Sequence, residues 1–163
     1  MQEHAKQNYG LLIKTINVVL IILMVALLLL AFVNVALRYV FSYPLHWSEE
    51  LIRFIFLWVV MLGATVGVAR GGVHISIDFF YDKFPYKLQL IFKLVINVII
   101  FLFLTVFFYY ALKILMVTYD QPSLTLDIPM SVPYSSMIAF SGLSIFYTIK
   151  NIITDIRNIK TDW

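Results

Sequence analysis

From residue 15 to residue 37 the chain reads TINVVLIILMVALLLLAFVNVAL, with Lys14 immediately before it and Arg38 immediately after. A bilayer core of about 30 Å is crossed by about 20 mostly apolar helical residues, because lipid offers a backbone N–H or C=O no partner outside its own helix. The stretch meets that requirement. A signal-peptide apolar region is shorter, about 7–15 residues, and ends at a small-residue cleavage site. Phe32-Val33-Asn34-Val35 makes a poor site of that kind, so an uncleaved first span is expected.

Working outward, three more segments qualify. The second runs from about Leu51 to Ala69, with Arg53 and Arg70 bracketing its strictly uncharged part, and both arginines are expected to snorkel toward headgroups or a partner. The third is uncharged from Leu94 to Leu112 and rich in Phe and Tyr, and the fourth is uncharged from Ile128 to Ile149. Composition agrees: 62% of the 163 residues are hydrophobic and 13% charged. Soluble domains carry roughly 45–50% apolar and about 25% charged residues. The expectation is an all-α membrane protein: one domain of four transmembrane helices, at about 15–38, 51–70, 91–112 and 128–149, joined by short amphipathic connecting helices.

Placement of basic residues predicts orientation. The N-terminus, the 70–93 connection and the C-terminus hold Lys6, Lys14, Arg70, Lys83, Lys87, Lys93, Lys150, Arg157 and Lys160, whereas the other side has Arg38, Arg53 and Lys113. Cytoplasmic loops carry the excess of Lys and Arg, so both termini are expected in the cytoplasm. The net charge of +3 includes no basic run interleaved with aromatics, and nucleic acid is not an expected partner.

Within the second helix, Glu49, Arg53, Phe56, Val60, Gly63, Gly67, Arg70 and His74 fall at steps of three or four, which places them on one stripe. Gly63 and Gly67 form a GxxxG pair, a spacing that lets another helix approach closely in lipid. That helix is either one of the chain's own or belongs to another protein. Glu49 and Glu50 compete for Arg53. Ser48 reads as the helix N-cap, and Tyr43, Trp47 and Trp58 suit a membrane interface. Asn34 with Arg38, and Lys93 with Asn97, are i,i+4 pairs near helix ends. Ser131, Ser135 and Ala139, near Ser141, Gly142 and Ser144, make a small-residue stripe on the last helix. Residues 113–127 read as a solvent-facing, turn-rich loop.

Several chemistries lack their residues. A small multidrug exchanger needs a carboxylate deep in the bilayer, and all nine acids lie outside the uncharged spans. Membrane haem needs axial histidines within helices, whereas His4, His46 and His74 fall in terminal or connecting regions. With no cysteine, thiol chemistry and disulfides are excluded. A serine nucleophile would lack a base beside it in the bilayer. His74 with Asp78 offers two ligands where a metal takes three or four. No enzyme, cofactor or metal site is expected, and function is expressed through a partner.

The motifs Trp47-Ser48-Glu49-Glu50-Leu51-Ile52-Arg53, Trp58, Leu62-Gly63-Ala64 and Arg70-Gly71-Gly72-Val73-His74-Ile75-Ser76-Ile77-Asp78, after Arg38-Tyr39-Val40-Phe41, resemble the small membrane subunit of tripartite ATP-independent periplasmic (TRAP) transporters. The resemblance implies a subunit of the bacterial inner membrane that braces a much larger membrane subunit. That larger subunit would hold the substrate and sodium sites, and a periplasmic binding protein would deliver a carboxylate such as a sialic acid or a C4-dicarboxylate. Carried onto this chain, Trp47, Glu50, Arg53, Trp58, Gly63, Arg70, His74 and Asp78 match the motif, and with Glu49 and Gly67 they are the expected partner-contact positions. Membrane lipids are the other expected neighbours. A self-assembling small transporter and a membrane anchor for a redox enzyme are the rival readings.

Overall fold

The computed structural model describes residues 11–43, 45–70 and 86–161. They form four helices: α1 (Leu11–Val40), α2 (His46–Ala69), α3 (Tyr86–Thr118) and α4 (Ser131–Thr161). Each is long and apolar enough to cross a membrane. The helices outrun most of the expected bounds. α1 starts before Lys14, α2 starts at His46, and α3 continues past Lys113 to Thr118. A lysine or glutamate does not break a helix; it only sets where the hydrocarbon ends. At about 1.5 Å per residue, the 30 residues of α1 reach about 45 Å, beyond the bilayer core on at least one side. Lys113 shows how a cation near an end is accommodated, with Nζ 4.9 Å from the centre of the Tyr109 ring.

Two helix starts have local causes. α4 begins at Ser131, three residues later than its uncharged window, because Pro129 precedes it and Pro133 is tolerated only in the first turn. α2 begins at His46 with Leu45 at the N-cap and no side-chain cap. Ser48 is therefore inside the first turn and not the N-cap, and its Oγ donates to the Leu45 carbonyl at 2.7 Å.

The main packing pairs are α1 with α2, α2 with α4, and α4 with α3. The helices thus stand in a row, with α1 and α3 at its edges. Ile13 and Ile16 of α1 meet Leu62, Val66 and Ala69 of α2, and Leu143 and Tyr147 of α4 pack against the same cluster. Between α3 and α4, Leu104 and Ala111 are buried, and Phe107 meets Phe140 edge-on at 5.7 Å. Small residues let α4 sit close to its neighbours: Ser136, Ser141, Ser144 and Thr148 are fully buried. The expected small-residue stripe on α4 is thus only partly the packed one, since Ser131, Ser141 and Ser144 are buried but Ser135 and Ala139 are half-buried and Gly142 is exposed. The outer surfaces are apolar, with Ile21, Leu28 and Phe32 of α1 and Ile99, Leu102 and Val106 of α3 exposed. So much exposed hydrocarbon marks a surface that meets lipid or protein rather than water.

The two described connections hold no helix. Residues 41–43 turn through Ser42 (φ 52°), with the Tyr43 amide donating to the Leu37 carbonyl at 3.2 Å. Residues 119–130 form a hairpin-like loop, bridged between Pro122 and Pro129 and turning at Asp127 (φ 53°). The expected connecting helices are absent from both, since the first is too short for a helix and prolines interrupt the second. The loop expected from residue 113 starts only at Tyr119, because α3 runs on to Thr118. Residues 71–85 lie outside the described ones.

Candidate functional site: the outer face of α2

Burial divides α2 into two faces. Ser48, Glu50, Leu62, Thr65, Val66 and Ala69 are buried, while Glu49, Arg53, Phe56, Val60, Gly67 and Arg70 are exposed and Gly63 is half-exposed. The stripe read from helical spacing is thus a real outward face, because α1 and α4 occupy the other sides of this helix. A Cβ built on Gly63 or Gly67 would meet nothing within 4 Å. Among the described residues, then, no helix of the chain packs closely onto either glycine. His74 and Asp78, which would extend the stripe, lie outside the described residues.

At the end of α2 nearest the 41–45 turn, the two adjacent glutamates diverge. Glu49 turns out and takes Arg38 Nη2 at 2.7 Å, with the two side chains about half-exposed (45% and 50%), joining the end of α1 to the start of α2. Glu50 turns in and accepts three backbone amides of the α3–α4 loop: Leu124 at 3.2 Å, Thr125 at 2.9 Å and Leu126 at 3.1 Å. The expected contest for Arg53 is won by neither. Arg53 Nε donates to the Glu49 carbonyl at 3.3 Å, and no carboxylate among the described residues pairs with it. One residue is about 100° of helical rotation, enough to aim neighbouring side chains at different elements.

Other expected pairs also resolve differently. Arg38 goes to Glu49 rather than Asn34, and Asn34 is buried on α1 with its Oδ1 unpaired. Asn97 donates to Asp155 on α4 at 2.7 Å rather than pairing along its own helix with Lys93. Asn151 Nδ2 donates to the Val68 carbonyl at 3.4 Å, so α4 is tied polar-wise to α3 and to α2 at the end of the row opposite the 119–130 loop. Trp47 is exposed at the start of α2, as an interface residue would be, but Trp58 is mid-helix and half-buried against the apolar cluster. Its ring packs against the cluster that α1 and α2 share.

Beside Arg53 lies a cavity of about 320 Å³, framed by α2, the α3–α4 loop and the start of α4. Glu50 and Arg53 are its charged lining, and Phe54, Leu57, Pro133 and Tyr134 are among its walls. Sequence reading could not find it, because its walls lie far apart in the chain. Among the described residues no three His, Asp or Glu side chains gather as a metal site would require.

Comparison with known proteins gives the chain its family. Residues 27–158 match the family model described as "Tripartite ATP-independent periplasmic transporters, DctQ component". The chain belongs to the DctQ family. It is a TRAP transporter small permease component, of a transporter permease family and not an enzyme. A TRAP transporter small permease protein of Haemophilus influenzae is 27% identical over 136 residues, which cover 83% of this chain and 81% of that one. The C4-dicarboxylate TRAP transporter small permease protein DctQ of Vibrio cholerae is 39% identical over 70 residues, 43% of this chain and 30% of its own. The sialic acid TRAP transporter permease protein SiaT of Haemophilus influenzae is 32% identical over 90 residues, 55% of this chain but only 14% of its own. In SiaT the stretch that matches this DctQ-family chain is thus a small part of one much longer permease. TRAP systems comprise such a large permease and a periplasmic binding protein alongside the small component.

Proposed function

We propose that this DctQ-family chain braces the large permease subunit of a sodium-coupled importer of the bacterial inner membrane, and that the outer face of α2 is its contact. The observation that carries this reading is the pair of glycines, Gly63 and Gly67, open on an exposed helix face. In lipid there is no hydrophobic drive between helices, so association relies on close van der Waals approach, which bare glycines permit. Arg53 and Arg70 mark the polar ends of that face, and His74 and Asp78 would continue it. The chain contributes a fixed wall rather than an ion or substrate site, since Glu50 and Asp155 are already engaged with other parts of the fold.

In this reading both termini are cytoplasmic, and the 41–45 and 119–130 turns face the periplasm, where a binding protein delivers a carboxylate. The names of the relatives support a sialic acid or a C4-dicarboxylate as the class of cargo. Lipid surrounds the α1 and α3 edges.

The test is reconstitution into liposomes with three compositions: this chain alone, the chain with its co-purifying large permease, and both with the binding protein. Sodium-dependent uptake only in the complete system is the expected result. Uptake by the chain alone would make it a self-assembling transporter and end the scaffold reading.

A further inference from the structure

Arg53 lies two turns into a membrane-crossing helix. A guanidinium stays protonated, and a cation at the membrane edge is costly unless an anion or water meets it. Among the described residues no acid meets it. Glu49 is held by Arg38, Glu50 is saturated by three loop amides, and Arg53 itself has only the Glu49 carbonyl on its Nε. Its terminal nitrogens meet no carboxylate among the described residues.

Those donors adjoin an apolar hole. The cavity of about 320 Å³ has Phe54, Leu57, Pro133 and Tyr134 in its walls. Its size falls within the range of small-molecule sites, roughly 300–1,000 Å³. Arg53 and Phe56 belong both to its lining and to the exposed stripe of α2, so it borders the outer surface of the row, which lipid can reach wherever a partner does not cover it. Glu50, which also lines the cavity, is taken up by the loop amides. A cation that meets no carboxylate among the described residues thus stands beside largely apolar walls, a setting that suits an amphiphile with an anionic head.

We propose that the cavity between α2 and the α3–α4 loop binds one anionic phospholipid, its phosphate on the Arg53 guanidinium and part of an acyl chain between Leu57 and Tyr134. The planar guanidinium can offer a phosphate two parallel N–H donors, the geometry that makes arginine a strong phosphate ligand. The bound lipid would fill the space beside the Glu50-held loop and supply the charge that the chain leaves open. This site is a property of the chain itself and does not rest on the transport reading.

The experiment is native mass spectrometry of the delipidated full-length chain titrated with phosphatidylglycerol. One molecule should bind tightly, and phosphatidylcholine should bind more weakly. Arg53→Gln should weaken phosphatidylglycerol by about tenfold or more, as the loss of a charge-assisted contact implies, while Arg53→Lys, which keeps the charge but loses the two-donor fork, should weaken it less than Arg53→Gln. Leu57→Trp, which fills the cavity and keeps the cation, should weaken it as well, and it tests the site independently if Arg53→Gln does not fold. Equal binding by the wild type and both weakening variants would overturn the proposal. So would competition by glycerol 3-phosphate as effective as that of the lipid, because the apolar walls would then have no part. A wild-type chain that binds no phosphatidylglycerol, with a protein side chain seated in the cavity once the large permease is present, would overturn it in favour of a protein contact.

Discussion

Glu49 and Glu50 are chemically the same side chain one position apart, and their surroundings give them different work. The Arg38–Glu49 pair stands half in solvent, where an ion pair contributes roughly 0–1 kcal/mol because water and salt screen it. Glu50 instead answers three consecutive loop amides that would otherwise lack partners near the membrane surface. Replacing Glu50 with Gln exchanges one acceptor oxygen for an NH2 group that faces other donors. Glu50→Gln should therefore loosen the 119–130 loop, and hydrogen exchange of the Leu124, Thr125 and Leu126 amides should accelerate by about tenfold or more. Glu49→Gln should leave those three amides unchanged and shift thermal stability only slightly. Equal exchange rates in wild type and Glu50→Gln would mean that the carboxylate does not hold the loop.

Among the elements, α2 carries the most information. Its two faces were legible because steps of three and four residues put Arg53, Phe56, Val60, Gly63 and Gly67 on one side of any helix, whatever surrounds it. The spans were legible for the same kind of reason, since hydrocarbon imposes a minimum apolar length. The partners of Glu50 were not legible, because they lie 74 to 76 residues away and periodicity says nothing about which loop returns to a given helix. The helix ends were also missed, since a charge marks the edge of the hydrocarbon and not the end of the backbone ladder. Two substitutions separate the outer face from the inner seams. Gly67→Leu meets no atom of its own chain, so the isolated protein should keep its thermal stability while recovery of the large permease in a tagged pull-down falls several-fold. Ser144→Leu, at a fully buried position of α4, should instead destabilise the isolated chain by about 1–3 kcal/mol through overpacking. If Gly67→Leu retains full recovery of the partner, the glycine face is not the contact.

At the scale of the whole molecule, the row of helices separates two unlike ends. One carries the 41–45 and 119–130 turns, where Glu50 joins them through α2, with Leu124 at the loop surface 99% exposed. The other carries Lys14, Lys93, Lys150 and Arg157, with Asn97 and Asp155 tying α3 to α4. An excess of lysine and arginine resists translocation, so the basic end should stay in the cytoplasm and the loop end should face the periplasm. The chain contains no cysteine, which makes single introduced thiols unambiguous reporters. Leu124→Cys, Lys14→Cys and Thr154→Cys each place a thiol at an exposed position. In spheroplasts, a membrane-impermeant maleimide should label Leu124→Cys at once, and Lys14→Cys and Thr154→Cys only after the membrane is opened. Labelling of the latter two from outside would invert the molecule and turn the Glu50-held loop toward the cytoplasm. A binding protein could then not reach that loop, and the periplasmic role assigned to this end of the fold would fail with it.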